Sequence, residues 1–397
     1  MKDTAGARVI RREYLPFGRP NFSDLEVAAV ARTLRSGWVG MGAETIAFEQ
    51  DLAAEVGAAH VVTVNSCTSA LFLALAVSGV GPGDEVICPS LTWCSTANAA
   101  LYVGAKPVFC DVDPETLSVT PELVRARLTP RTRAVMVVHF GGLAADVATL
   151  RAELPADIVI IEDAAHALGA RFSDGHPVGS SGNLTCFSFY ANKNLSTGEG
   201  GAIALFDDRL AERLRSLRQH SLPIDAWKRY SQPRGLLLSN QLTELGYKMN
   251  YTDLQASIGR VQLRRLGEFH AIRLGVARRY VDGLQTVSPP VRFQTHCTHP
   301  HHARHLFVLQ LPLEDLTSSR DELVLALRAR NIGASIHYAP LHRMPLYCGD
   351  AAPASLPVTD RIAQSILTLP ISASMRVDDA DYVVDELRTA LGHRGEG

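Results

Sequence analysis

Of the 39 basic residues in the 397-residue chain, five are lysines, Lys2, Lys106, Lys193, Lys228 and Lys248, so chemistry that needs an amine has few candidates. Lys193 lies in Cys186-Phe-Ser-Phe-Tyr-Ala-Asn-Lys-Asn-Leu-Ser-Thr-Gly-Glu-Gly-Gly201, flanked by aromatic and small polar residues ahead of a glycine-rich turn. Partial burial there would lower the amine's pKa, as carbonyl capture requires; a solvated loop lysine is the ordinary alternative. Upstream, Ile158–Ile161 runs into Glu162-Asp163-Ala-Ala-His166. An acid just past a buried strand faces either a ligand or a helix start that it caps. Asn65-Ser-Cys67-Thr68-Ser69 opens an apolar run ending at Val77. Its amides and the Thr68 hydroxyl could hold a phosphate, or simply begin a helix. Trp93 offers a flat face to a ring or to the core.

Each feature alone has an ordinary structural explanation; together they match one cofactor. Pyridoxal phosphate needs a lysine for its aldehyde, a carboxylate for its ring nitrogen, an anion cradle for its phosphate and a flat partner for its ring. Lys193, Asp163, the Ser66–Ser69 turn and Trp93 supply these four.

The elements that must position them are legible in outline. His60–Val64, Glu85–Cys88, Val108–Val112, Ala134–His139 and Ile158–Ile161 read as strands, the last apolar on both faces as a central parallel strand should be. Helical segments alternate with them, which predicts an α/β domain with a mostly parallel sheet. Ser23-Asp-Leu-Glu26 is a capping box after an extended arm over 16–22. From Thr252 to about Gln285 apolar residues recur at helical spacing, predicting one long, bent helix. Strands over His305–Leu311 and Ala334–Tyr338 and helices over Ser319–Arg330 and Asp378–Ala390 complete the pattern. The expected organisation is a large domain over 1–260, including the arm, and a smaller α+β domain over 261–397.

A net charge of −2 argues against nucleic acid as a partner. The longest run without a charged residue, between Glu55 and Asp84, is broken by polar residues and glycines and does not read as a membrane span. The N-terminus lacks the apolar core of a secretory signal. Seven scattered cysteines without a C-x-x-C read as free thiols of a cytoplasmic protein.

With these motifs the chain resembles the nucleotide-sugar aminotransferases of the DegT/StrS type, from about Leu15 to Leu391. Matching segments include Pro16–Pro20, Gly83–Ile87, Pro107–Asp113, Ile161–His166, Phe187-Ser-Phe189, Lys193–Gly201 and Gly246-Tyr-Lys-Met-Asn250. The resemblance implies fold type I of the pyridoxal-phosphate-dependent transferases. It makes Lys193 the lysine that takes the aldehyde and shuttles a proton, and Asp163 the partner of the ring nitrogen. His166 would contact the cofactor's phenolic oxygen and Trp93 would stack on its ring. The Cys67 amide, Thr68 and Ser188 would hold the phosphate, joined by Asn250 of a second subunit; that implies a homodimer with shared active sites.

The substrates implied are a nucleotide-linked keto sugar and an amino-acid donor, L-glutamate being expected. Ser90-Leu-Thr-Trp-Cys-Ser-Thr96, His220–Trp227 and the intact lysine motif resemble the group aminating carbon 4, favouring a dTDP-4-keto-6-deoxyhexose; amination at carbon 3 is the nearest rival. A lyase or dehydratase and a non-catalytic regulator are more distant ones. The arginine-rich composition points to a GC-rich genome, where such enzymes often serve natural-product glycosylation. Lys228 is expected in a loop near the site mouth, and His337 and His342 either meet the substrate or serve structure. His296–His305 carries five histidines and a cysteine without the spacing of a zinc site, so no metal is expected.

Overall fold

In the computed structural model the described residues are 11–222, 242, 244–348 and 354–392. Trp227 and Lys228 lie outside them. Seven strands form the main sheet: β1 (His60–Val64), β2 (Glu85–Pro89), β3 (Lys106–Cys110), β4 (Thr132–Val138), β5 (Val159–Asp163), β6 (Leu184–Ser188) and β7 (Gly201–Leu205). Their order is β1-β7-β6-β5-β4-β2-β3. Neighbours are parallel except at β7, which runs antiparallel to both β1 and β6. Apolar clusters lie on both faces of the sheet, which is why β2, β6 and β7 are buried at every position instead of alternating. The carboxyl ends of five parallel strands therefore open on one edge, where α/β sheets bind ligands.

Helix α1 (Asp24–Arg35) starts with the expected capping box: Glu26 accepts from the Ser23 N–H at 2.8 Å, and the Ser23 side chain accepts from the helix. Helix α2 (Ala43–Val56) is capped from a distance. The buried Asp253 carboxylate accepts from the N–H groups of Gly42 at 2.7 Å and Thr45 at 2.9 Å and from the Thr45 hydroxyl at 2.7 Å. Helix α3 (Cys67–Val77) follows β1, and α4 (Cys94–Tyr102) follows β2.

A second sheet, β8 (Arg292–Phe293), β9 (Phe307–Gln310) and β10 (Ile366–Leu369), is antiparallel in the order β10-β9-β8. It shares a core with the helices Leu266–Leu284, Arg320–Ala329 and Val377–Gly392, and with Leu15 from the arm.

Two expectations need correction. The long helix is two helices, Asp253–Arg264 and Leu266–Leu284, broken at Arg265 (ψ 0°). The Arg265 side chain turns aside there to Glu26 at 3.0 Å and Asn21 at 2.8 Å. Ala334–Tyr338 is not a strand: only Ser335 pairs, exchanging hydrogen bonds of 3.0 and 2.9 Å with Thr368, before the chain leaves the sheet. That departure carries Tyr338 to the sheet edge.

Candidate active site

β5 delivers two acids to opposite faces, because successive strand residues alternate. Glu162 is buried and accepts from His139 Nε2 at 2.8 Å, Asn183 Nδ2 at 2.8 Å and Ser181 Oγ. The Ala145 N–H donates to His139 Nδ1 at 3.0 Å, which places the ring's proton on Nε2. Burial alone would raise the Glu162 carboxyl, but these hydrogen bonds hold it below its ordinary value. Asp163 faces the strand ends. Its Oδ2 accepts from Thr96 Oγ1 at 2.8 Å, and its Oδ1 accepts from the Ala165 N–H at 3.2 Å. Burial raises this carboxyl above its usual value, opposed by those two hydrogen bonds and by the Lys193 charge. Asp163 is thus both a turn cap and a buried acid whose ionised form needs a cation.

Lys193 sits in the loop between β6 and β7. The Asn194 side chain anchors that loop by donating to the Ala303 carbonyl at 2.8 Å. The turn after it needs glycine. Gly200 has φ +148°, and a Cβ there would fall 2.5 Å from the Tyr251 ring. Burial lowers the Lys193 amine to about 8, while Cys67 and Asp163 pull the other way. Its Nζ lies 3.3 Å from His305 Nε2. The His305 ring lies 4.5 Å from that of His166, and His166 Nε2 shares a 3.1 Å hydrogen bond with the Tyr338 hydroxyl. Tyr338 in turn lies 5.9 Å from Trp93, which is 60% exposed at the start of α4. Lys193, His305, His166, Tyr338 and Trp93 thus form one continuous row. Burial, then the nearby Lys193 charge, pushes both histidines well below their usual pKa, so each ring is neutral.

At the start of α3, Ser66 Oγ accepts from the Ser69 N–H at 3.1 Å. Among the described residues the N–H groups of Cys67 and Thr68 find no partner, as a first helical turn dictates. A Cβ at Gly201 would fall 2.5 Å from the Cys67 nitrogen, so β7 can press this close only as glycine. The Thr68 hydroxyl meets Ser95 Oγ at 2.8 Å, tying the starts of α3 and α4 together. Ser188 ends β6, and its Oγ accepts from the Tyr190 N–H at 3.4 Å. Asn250 stands beside the turn that opens α3: the preceding Met249 carbonyl accepts from the Asn65 N–H at 2.9 Å. Asn250 lines a cleft of about 430 Å³ with Trp38, Met41, Gln219, His220 and Lys248, and its Oδ1 accepts from Lys248 Nζ.

Residues 20–388 match the model of the DegT/DnrJ/EryC1/StrS aminotransferase family. The chain belongs to this family. It is 41% identical over 382 residues to the Bacillus subtilis (strain 168) spore coat polysaccharide biosynthesis protein SpsC, covering 95% of this chain and 97% of that protein. The aminotransferase TlmJ from Streptoalloteichus hindustanus superposes with a TM-score of 0.86 at 35% identity, over 95% of this chain and 99% of TlmJ. DesI, solved in the presence of its TDP-sugar product, superposes with a TM-score of 0.86 at 29% identity, over 97% and 95% of the two chains.

As a DegT/StrS-family member the chain is a transaminase of fold type I, and the family's cofactor is pyridoxal phosphate. The residues present fit that group. The two histidine rings that line up beside Lys193 each carry a buried polar atom without a partner, His166 Nδ1 and His305 Nδ1. The spare amides of α3 suit a phosphate, and the buried Asp163 suits a protonated ring nitrogen.

Sequence reasoning missed three residues of the site. Thr96 holds Asp163 and is itself 2.9 Å from Thr92 Oγ1; the i, i+4 hydroxyl pair beside Trp93 was the available signal. His305 and Tyr338 carry no signal of their own in the sequence: one ends a histidine-rich run and the other lies between two histidines. Those two serve the scaffold: His337 Nδ1 meets Thr368 Oγ1 at 3.0 Å, and His342 Nδ1 meets Ser90 Oγ at 2.7 Å. The run before His305 wraps a buried arginine. Arg304 donates to the carbonyls of Cys297 at 3.0 Å and His302 at 2.6 Å. Among the described residues no group of His, Cys, Asp and Glu is arranged to hold a metal.

Proposed function

We propose that this transaminase moves an amino group from L-glutamate to carbon 4 of a nucleotide-linked 4-keto-6-deoxy sugar, with a dTDP-linked hexose as the favoured acceptor. The observation that carries the chemistry is the Lys193 amine, held at about 8 between Cys67 and Asp163 on the edge where the strands end. Once unbound, an amine titrating there can both take and return a proton near neutral pH. Pyridoxal phosphate, when bound, supplies the electron sink that makes the donor's α-proton acidic. Lys193 takes that proton and returns it, first in the donor half-reaction and then in reverse for the sugar. Asp163, braced by Thr96, would keep the ring nitrogen protonated. His166 and Trp93 would position the ring, and the Cys67 amide, Thr68 and Ser188 would hold the phosphate.

Support for a sugar acceptor comes from the polysaccharide and TDP-sugar relatives, and support for carbon 4 from the intact Phe187-Ser-Phe189 and Lys193–Gly201 motifs. Asn250 lines an open cleft, and the family resemblance supports its service to a second subunit's phosphate in a homodimer. Assaying a panel of nucleotide-linked 4-keto and 3-keto sugars with glutamate, with NMR of the products, tests this reading. An amine at carbon 4 is expected; an amine found only at carbon 3 would replace it.

A further inference from the structure

His305 Nε2 lies 3.3 Å from Lys193 Nζ, and its Nδ1 is buried without a partner. The ring has little freedom. Its face packs on His166, and the residue before it is held from both sides. The Arg304 N–H donates to His302 Nδ1 at 2.8 Å, while the Arg304 carbonyl accepts from Arg273 Nη1 at 3.0 Å. Arg273 is fully buried and also donates to the Ile371 carbonyl at 3.1 Å, so it locks the approach of His305 to the second sheet's surroundings.

A lysine ammonium can only donate, so the contact requires Nε2 to be the acceptor and Nδ1 to carry the ring's proton. We propose that His305 is a positioning residue for Lys193: its Nε2 accepts a hydrogen bond from the Lys193 ammonium and fixes where that group waits between its two proton transfers. The inference rests on the reading of Lys193 as the reactive amine. The other titratable groups facing the pair are Cys67 and Asp163 on the lysine side and His166, His337 and Arg273 on the histidine side. The surrounding positive groups and the burial favour a neutral ring, consistent with an acceptor.

The sign of the effect separates this role from its alternatives. An acceptor stabilises the ammonium, so removing it lowers the amine's pKa; a cationic neighbour removed would raise it; a packing role would leave it unmoved. In the full-length, cofactor-free protein, Lys193 can be titrated by trinitrobenzenesulfonate labelling at graded pH, with its peptide followed by mass spectrometry. The expected midpoint is about 8. His305→Leu should lower it by about one pH unit, the scale of one hydrogen bond to a charged group. His305→Gln, which places an amide oxygen near the Nε2 position, should stay close to the unsubstituted value. An unchanged or raised midpoint in folded His305→Leu overturns the proposal. Should that variant not fold, ¹⁵N NMR of the histidine rings of the unsubstituted chain decides. The His305 signals, identified by their loss in His305→Gln, should show Nε2 as a lone-pair acceptor that shifts in Lys193→Ala; a doubly protonated ring at pH 7, or no shift, overturns it. Mapping the cofactor's attachment in the loaded enzyme tests the underlying reading separately, so the two failures cannot be confused.

Discussion

Burial sets the two residues that matter most against each other. Lys193 and Asp163 each lose solvation in the same pocket, and each is partly restored by the other's charge. Under the proposed role of Asp163, Asp163→Asn should cut turnover by about 10²–10³-fold by removing the charge that would face the ring nitrogen. Thr96→Val should have a smaller effect in the same direction, both read from steady-state rates at saturating cofactor. The lysine also carries a stability signature. Its folded pKa, about 8, lies below its ordinary value of 10.5. Between those values the unfolded chain binds the extra proton, so stability rises with pH across that window. Lys193→Met should consequently melt at a higher temperature than the unsubstituted cofactor-free protein at pH 7, with the advantage shrinking from pH 8 upward and gone above about 10.5. At this scale the sequence was informative where chemistry is local. Lys193 and Asp163 stand in runs whose composition betrays them. Thr96 and His305 do not, because what makes them part of the site is contact across 67 and 112 residues, respectively.

Helices and strands were readable where their own residues decide the matter. The capping box at Ser23 and the apolar run of β5 are local signals, and both elements form where expected. Elements ended by distant contacts were not. Nothing within 252–285 announces a break; Arg265 leaves the helical path for Glu26 and Asn21, more than two hundred positions away. The pattern of Ala334–Tyr338 suits a strand, yet only Ser335 finds a partner. The cap of α2 is likewise long-range: Asp253 supplies the acceptor for amides of a helix whose preceding residue is glycine. Asp253→Ala should lower the denaturation free energy by about 2–3 kcal/mol, since it strands several buried donors at once. Asp253→Asn should recover part of that loss. Chemical denaturation followed by circular dichroism checks both, and equal stability of the alanine variant would show that the cap is dispensable.

Across the whole molecule the topology explains why the site is where it is. The crossovers of a parallel sheet bring the ends of β1, β2, β4, β5 and β6 to one edge, and the second sheet adds His305 and Tyr338 from across it. Leu15 in the second core, with the Phe17 ring 4.7 Å from that of His337, ties the arm to the same region. The proposed exchange of Asn250 between subunits makes a prediction at this scale. Lys193→Ala and Asn250→Ala chains, each impaired alone, should regain activity when co-expressed. Random pairing makes half the dimers mixed, each with one intact site, for roughly a quarter of full activity. No recovery would place Asn250 in its own chain's site or outside any site.

The most direct test is chemical. Borohydride reduction of the pyridoxal-phosphate-loaded enzyme, followed by proteolysis and mass spectrometry, should leave the cofactor's mass on the peptide containing Lys193 and on no other, and Lys193→Ala should retain none. A label on Lys106, Lys228 or Lys248, or labelling that survives in Lys193→Ala, would contradict the assignment of the reactive amine and the proton transfers derived from it.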